Sequence, residues 1–100
     1  MIAEIARKAV VLGRVQGVGF RAFVAHEASA RGLAGWVRNR RDGSVEAVFV
    51  GEATVVADMM AACRHGPPGS RVDHILETDA VGDELALRPP GDSFAVLRSI

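Results

Sequence analysis

The segment from Val10 to Ala28, VVLGRVQGVGFRAFVAHEA, joins a glycine-bearing loop to a cation at the start of a helix. Gly13, Gly17 and Gly19 follow an apolar run, and Arg21 falls in the first turn of a helical pattern. A cation at this end opposes the helix dipole at a cost of about 0.3–1 kcal/mol. Backbone N–H groups of such a loop and of the start of a helix form a concave cluster of hydrogen-bond donors. An arginine guanidinium adds a positive charge and N–H groups that match the oxygens of a phosphate. Because each hydrogen bond to a charged group is worth about 1.5–3 kcal/mol, the segment predicts a site for a phosphate-like anion.

Two other readings of this loop are weaker. Residues 17–22 fit the dinucleotide pattern G-x-G-x-x-A, with Asp42 about 20 residues further on. Asp42, however, falls in an apparent hairpin turn rather than after a second parallel strand, and no G-x-x-x-x-G-K-[ST] sequence is present. Nucleotide binding at this loop is therefore rejected. The other alternative, a purely structural turn, would explain Gly17 and Gly19 but not Arg21.

The sequence gives no indication of a metal site. His26, His65 and His74 show neither i, i+4 pairing nor cysteine partners at zinc spacing, and we expect them to be surface or partly buried residues. Cys63 is the single cysteine, which excludes an intrachain disulfide and favours a reducing cytoplasm. Its place in the apolar pattern of a helix indicates a small core residue.

Composition and charge limit the classes of partner. The 100 residues are 49% hydrophobic and 24% charged with zero net charge, which indicates one globular domain over 1–100. A neutral chain gives no reason to expect nucleic acid or an anionic membrane as a partner, and we expect a monomer. No apolar run is long enough to span a membrane, and the N-terminus does not resemble a secretory signal.

The hydrophobic periodicity predicts elements that would position the loop. In chain order they are a strand over 7–15, a helix over 20–32, two strands flanking Asp42-Gly43, a helix over 54–65, a strand over 71–78 and a short strand over 93–98. The first strand is apolar on both faces and should be central in its sheet. Thr54 is the expected cap of the second helix, and 79–92 is expected to be a loop. The order predicts an α/β (α+β) two-layer sandwich, with both helices on one face of an antiparallel-rich sheet.

Two long motifs carry a family resemblance. GRVQGVGFR, residues 13–21, and GWVRNRRDGSVEAVFVG, residues 35–51, resemble the signature motifs of the acylphosphatases. CRHGPPGSRVDHI, residues 63–75, is similar to the segment that closes the second helix in bacterial members, and the resemblance runs from about Lys8 to Arg98. It implies a ferredoxin-like βαββαβ sandwich, here with a short extra strand. It also implies hydrolysis of acyl phosphates to a carboxylate and inorganic phosphate, without a metal or other cofactor.

The resemblance also implies roles for particular residues. Arg21 corresponds to the phosphate-binding arginine and Asn39 to the asparagine that orients the attacking water. The backbone that cradles the phosphate corresponds to Arg14, Val15, Gln16, Gly17, Val18 and Gly19. Many bacterial members have an aromatic residue where this chain has Ala22, and we expect the difference to alter packing or rate rather than abolish activity.

Three other functions are compatible with the same fold. One is a phosphate- or anion-binding module without turnover. Another is an RNA-binding module, but the third strand offers only Phe49 as a stacking aromatic. A third is the acylphosphatase-like segment of a larger carbamoyl-transferring enzyme, whose Cys-rich zinc modules are missing here. Trp36 is expected to lie in or over the core, and Arg38, Arg40 and Arg41 to form a solvated basic turn.

Overall fold

The computed structural model describes residues 3–91 and 93–100. In these residues the chain forms a single five-stranded sheet with helices packed against it. The elements are β1 (Glu4–Arg14), α1 (Phe20–Ala30), β2 (Ala34–Asn39), β3 (Val45–Glu52), α2 (Ala53–His65), β4 (Arg71–Asp79), α3 (Gly82–Leu85) and β5 (Phe94–Val96). The strand order is β4-β1-β3-β2-β5, antiparallel except for the parallel β2–β5 pair. This confirms the predicted ferredoxin-like βαββαβ order with an additional short strand.

Strand β1 is central, as its apolar character on both faces predicts. It pairs with β3 on one side and β4 on the other, which satisfies its backbone along both edges. On one face Ala9 and Val11 are essentially inaccessible to solvent and contribute to the main core, while Val10 is buried on the other face. Since β1 is held from both sides, the loop that follows it leaves the sheet from a fixed point.

Helices α1 and α2 cover one face of the sheet with the apolar stripes seen in the sequence. α1 buries Phe20, Val24 and Ala28, which recur at helical spacing, and α2 buries four residues of its own. These side chains form one continuous core with the facing strands. Phe49 of β3 lies in this core and stacks on Phe94 at 5.7 Å between ring centroids, so it is not available to stack a base.

The start of α2 differs from the sequence prediction. The helix begins at Ala53, with Glu52 in an extended conformation as the residue before it and no side-chain cap. Thr54 lies inside the first turn, and its hydroxyl donates to Glu52 Oε1 at 2.9 Å. The prediction that Thr54 caps the helix was therefore wrong, because the helix starts one residue earlier and Thr54 is no longer at its boundary.

The 79–92 segment is not entirely a loop. Strand β4 continues to Asp79, and the one-turn helix α3 packs on the face of the sheet opposite α1 and α2, while position 92 lies outside the described residues. There Ala34, Trp36, Val48 and Val50 form a second buried cluster. A helix this short has no periodicity to detect in the sequence, because it forms through contacts with distant strands.

Among residues 3–91 and 93–100, no helix is both long enough and apolar enough to cross a membrane. The longest is α2, with 13 residues, against the roughly 20 that a membrane-spanning helix needs.

Candidate active site

A hollow of about 330 Å³ lies at the point where β1 ends and α1 begins. Its wall is formed by four parts of the chain: the β1–α1 loop, the first turn of α1, the end of β2 and the short strand β5. The lining residues are Val15, Gln16, Gly17, Gly19, Phe20, Arg21, Ala22, Asn39 and Val96. The volume falls within the range of small-molecule pockets, and both residues assigned catalytic roles by resemblance lie in its wall.

The glycine loop takes a backbone path that other residues would resist. Gly17 and Gly19 have φ of 75° and 78°, a left-handed conformation that costs an L-residue about 1–2 kcal/mol. Apart from the chain neighbours, no atom of the described residues lies within 4 Å of the position a Cβ would occupy at either glycine, so this side of the loop is open. Gly19 precedes α1, and its carbonyl accepts the Phe23 N–H at 3.0 Å. The N–H groups of the first helical turn have no partner within the helix and can bind an anion.

Arg21 is partly buried in the first turn of α1 and forms part of the wall of the hollow. No acidic residue shares that turn. Across the described part of the chain, Arg21 makes no ion pair, whereas other arginines have carboxylate partners, such as Arg31 with Asp58 at 2.8 Å. Its charge is thus uncompensated by a carboxylate and lies in the wall of the hollow, beside the start of α1.

Asn39 is the last residue of β2, and its backbone is held on both sides. It pairs with Val45 of β3, and its carbonyl accepts the N–H of Ile100 at 3.0 Å. The turn itself begins at Arg40, so Asn39 belongs to the strand rather than to the turn. A polar side chain at the end of a fixed strand is well suited to orient a small molecule in the hollow.

The residues of the expected phosphate cradle do not all face the hollow. Val15, Gln16, Gly17 and Gly19 line it. Arg14 lies at the end of β1, exposed and paired with Arg71 of β4, and Val18 packs against the main core. The hollow therefore brings together four of the six loop residues with Arg21 and Asn39.

Sequence reasoning missed two features of this wall. Val96 of β5 lines the hollow, although 51% of its surface is exposed, because β5 pairs in parallel with β2 and so lies beside the end of that strand. Nothing in the sequence SFAVLR indicates this pairing. The second feature is the side chain of Gln16, since the sequence predicted a role only for the backbone of this residue.

The predicted basic turn is corrected by the structure. Arg38 lies on β2 before the turn, where its Nε donates to Glu46 Oε1 at 2.8 Å and its guanidinium lies 4.7 Å from the ring centroid of Trp36. Alternation along the strand directs Arg38 to the face opposite that of Asn39. Only Arg40 and Arg41 remain at the turn, beside the C-terminal Ile100.

The titratable groups outside the hollow form no metal site in the part of the chain that the structure describes, where no group of three or more His, Cys, Asp or Glu residues could hold an ion. His26, His65 and His74 are all exposed. Cys63 is fully buried in the main core, as predicted, and burial raises the pKa of its thiol to about 12. A thiol with this pKa is inert as a nucleophile near neutral pH.

Fold and hollow together define the class: a small ferredoxin-like sandwich with a candidate anion site at its first strand–helix loop. The acylphosphatase family model matches residues 7–87. An acylphosphatase of Bradyrhizobium diazoefficiens is 59% identical over 91% of this chain and 92% of its own length. The crystal structure of an acylphosphatase from Bacillus subtilis covers 93% of this chain and 98% of its own, with a TM-score of 0.80 and 38% identity.

A longer protein shares the same fold in one part. The crystal structure of full-length HypF in its phosphate- and nucleotide-bound form covers 99% of this chain but 13% of its own, with a TM-score of 0.81 and 25% identity. The Bradyrhizobium and Bacillus relatives, which match this chain in length, are acylphosphatases. The chain belongs to the acylphosphatase family, and it is an enzyme that hydrolyses acyl phosphates.

Proposed function

We propose that Arg21 and the backbone of the β1–α1 loop bind the phosphoryl group of the acyl phosphate, and that Asn39 orients the attacking water. The observation that carries this proposal is the common wall of one hollow, which holds Arg21, Asn39 and four residues of the glycine loop. Arg21 and the loop belong to one strand–helix connection, and Asn39 belongs to β2. The phosphoryl group and the water are thus held by two different parts of the fold.

Neither side chain needs to transfer a proton for this reaction. An asparagine amide does not titrate, and an arginine remains charged throughout the working pH range. The departing group of an acyl phosphate is a carboxylate, which is a stable anion without protonation. The transition state is loose, with charge on the equatorial oxygens of the phosphoryl group. Positioning and stabilisation of this charge are therefore sufficient for catalysis.

The guanidinium and the N–H groups act on charge that the reaction itself redistributes. Held in place before the reaction, these donors need no reorganisation as the transition state forms, which is why such groups contribute most of the rate enhancement in many enzymes. A phosphate monoester, by contrast, releases an alkoxide that needs a proton, and none of the described residues that line the hollow is an acid that could give one. We therefore propose acyl phosphates as substrates in preference to monoesters, with inorganic phosphate as product and competitive inhibitor.

The setting of the reaction is also part of the proposal. Residues 1–100 act as a single catalytic unit, without a bound metal and as a monomer, in the cytoplasm. The single cysteine and the neutral net charge favour this setting, since neither an oxidising compartment nor a polyanionic partner is indicated.

The test is hydrolysis of benzoyl phosphate in the presence of EDTA by the wild-type protein, Arg21→Ala, Asn39→Ala and the control Arg64→Ala. Arg64 is an exposed arginine on α2 that does not line the hollow. Removing one preorganised donor lowers turnover by roughly 10²–10³-fold, and we expect at least this loss for Arg21→Ala. Asn39→Ala should lose turnover but keep its affinity for inorganic phosphate, and Arg64→Ala should behave as wild type.

Near-normal turnover in both Arg21→Ala and Asn39→Ala would contradict the assigned roles. Loss of activity in EDTA, with recovery on adding a divalent metal, would contradict the metal-independent mechanism. Each outcome is read beside circular dichroism, which separates loss of the site from loss of the fold.

A further inference from the structure

The side chain of Gln16 connects the phosphate-binding loop to the hairpin that carries Asn39. Its Nε2 donates to the backbone carbonyl of Arg40 at 2.8 Å and to that of Ser44 at 2.8 Å. Arg40 directly follows β2 and Ser44 directly precedes β3, so one primary amide spans the mouth of the β2–β3 hairpin. We call this pair of hydrogen bonds the Gln16 bridge.

The chemistry of the two acceptors fixes the orientation of the amide. Both are carbonyl oxygens, which can only accept, so the NH2 group of Gln16 must face them and the rotated amide would place oxygen against oxygen. The same two residues also pair within the hairpin, where the Arg40 N–H donates to the Ser44 carbonyl at 2.9 Å. The Gln16 bridge thus fastens the loop to a part of the backbone that is already rigid.

Strand pairing does not extend into the loop at this point. Pairing of β1 with β3 ends at Val11 and Val45, and pairing with β4 ends at Arg14 and Arg71. Val15 and Val18 pack into the main core, whereas a Cβ added at Gly17 or Gly19 would meet no atom within 4 Å apart from its chain neighbours. The Gln16 bridge adds side-chain hydrogen bonds that join the loop to the hairpin at the end of β2.

We infer that Gln16 is a positioning residue, which holds the phosphate cradle in register with Asn39 so that water attacks in line. This inference rests on the proposed roles of Arg21 and Asn39. Misplacement of reacting groups by 1 Å can cost about 10²-fold in rate. The groups that bind phosphate all lie on the loop and α1, so loss of the bridge affects turnover far more than phosphate affinity.

The test uses Gln16→Met, which keeps length and volume but cannot donate, and Gln16→Glu, which keeps shape but sets a carboxylate against two carbonyl oxygens. For both variants we expect kcat for benzoyl phosphate to fall at least about tenfold, while the Ki for inorganic phosphate of Gln16→Met changes less than about threefold. A residue with only a structural role would lower the melting temperature without this split between kcat and Ki.

Ser44→Ala is the matched control. The Ser44 hydroxyl donates to Asp42 Oδ1 at 2.6 Å, so its removal loosens the same hairpin while leaving the carbonyl that Gln16 uses. We expect Ser44→Ala to lose stability but keep wild-type kcat. The inference is overturned if both Gln16 variants retain turnover, if Ser44→Ala loses as much turnover as Gln16→Met, or if Ki rises in parallel with the fall in kcat of Gln16→Met.

Failure of the inference is distinguishable from failure of the proposed function. If the catalytic roles are right and the bridge is unimportant, Arg21→Ala and Asn39→Ala lose turnover while the Gln16 variants do not. If the catalytic roles are wrong, Arg21→Ala and Asn39→Ala keep their turnover whatever the Gln16 variants do.

Discussion

The indole Nε1 of Trp36 donates a hydrogen bond to the backbone carbonyl of Glu84 at 2.7 Å, joining β2 to the one-turn helix α3. Trp36 is fully buried in the apolar cluster on the sheet face opposite α1 and α2. The Glu84 carboxylate accepts from the Lys8 ammonium of β1, and this hydrogen bond lowers the pKa of Glu84. Two strands therefore hold α3 in place: Trp36 of β2 bonds to the backbone of α3, and Lys8 of β1 bonds to the Glu84 side chain.

Trp36→Phe should reduce stability without reducing activity. The variant keeps an aromatic ring but removes the shorter of two hydrogen bonds to the Glu84 carbonyl, which still accepts from the Leu87 N–H at 3.3 Å, so the loss is about 0.5–1.5 kcal/mol. Urea unfolding followed by circular dichroism measures this, since Trp36 is the only tryptophan and its fluorescence is lost in the variant. Because the cluster lies on the sheet face opposite the main core, we expect kcat for benzoyl phosphate to stay within about twofold of wild type. A large fall in kcat at unchanged stability would contradict this separation of the two faces.

Stability at alkaline pH should depend on Cys63. Burial holds the pKa of its thiol at about 12, whereas the thiol of the unfolded chain titrates near 9.0. Above the lower value the unfolded state releases a proton that the folded state retains, so stability falls as pH rises. The expected slope of the unfolding free energy is about −1.4 kcal/mol per pH unit between these two values.

Denaturant unfolding from about pH 8 to about pH 10.5 measures the Cys63 slope, with Cys63→Ala as the control. The chain contains no tyrosine, so no phenol titrates in this range. The difference in slope between wild type and Cys63→Ala isolates the thiol. Equal slopes in the two proteins would show that Cys63 ionises as readily in the folded state as in the unfolded chain.

The elements around the glycine loop could be predicted because their signals are local. The apolar residues on both faces of β1 indicate that this strand is central in its sheet, and Asp42-Gly43 indicates the hairpin. Asp42 stabilises that turn by accepting from Ser44 N at 2.9 Å, an interaction between residues two positions apart. Arg21 could be singled out as a candidate site residue because a cation in the first turn of a helix opposes the helix dipole, and it lies in the wall of the hollow.

The remaining features depend on contacts between distant residues. α3 forms against the sheet, with Trp36 and Lys8 as its partners, and its own sequence has too few residues to show a period. Val96 enters the wall of the hollow only because β5 pairs in parallel with β2. The Gln16 bridge needs the turn of another strand pair as acceptor. The hydrophobic pattern and residue spacing of one segment do not show which distant residues that segment contacts.

Ala22→Phe should change the preference among acyl phosphates. Ala22 is exposed in the first turn of α1 and lines the hollow together with the apolar Val96. A phenyl group at this position occupies space available to the acyl part of the substrate. We expect kcat/KM for benzoyl phosphate to fall roughly tenfold relative to that for acetyl phosphate, within the range that one change in pocket size can give.

The matched control for Ala22→Phe is Ala30→Phe, at the exposed C-terminal end of the same helix. It adds the same ring to α1 but away from the hollow, and its substrate preference should equal that of wild type. If Ala22→Phe discriminates no better than Ala30→Phe, the acyl group does not lie beside Ala22.

Gly19→Ala should weaken phosphate binding, whereas Gly32→Ala should not. Both glycines have positive φ, 78° and 68°, so each substitution costs about 1–2 kcal/mol in backbone strain, and at neither would a Cβ meet an atom within 4 Å apart from its chain neighbours. They lie at opposite ends of α1, and of the two only Gly19 lines the hollow.

Relief of strain at Gly19 redirects the N–H groups that begin the helix, and each lost hydrogen bond to a charged group is worth about 1.5–3 kcal/mol. The Ki for inorganic phosphate should therefore rise at least about tenfold in Gly19→Ala and remain unchanged in Gly32→Ala, while urea unfolding shows similar losses of stability. An equal Ki in the two variants would mean that the backbone at Gly19 does not contact the phosphate.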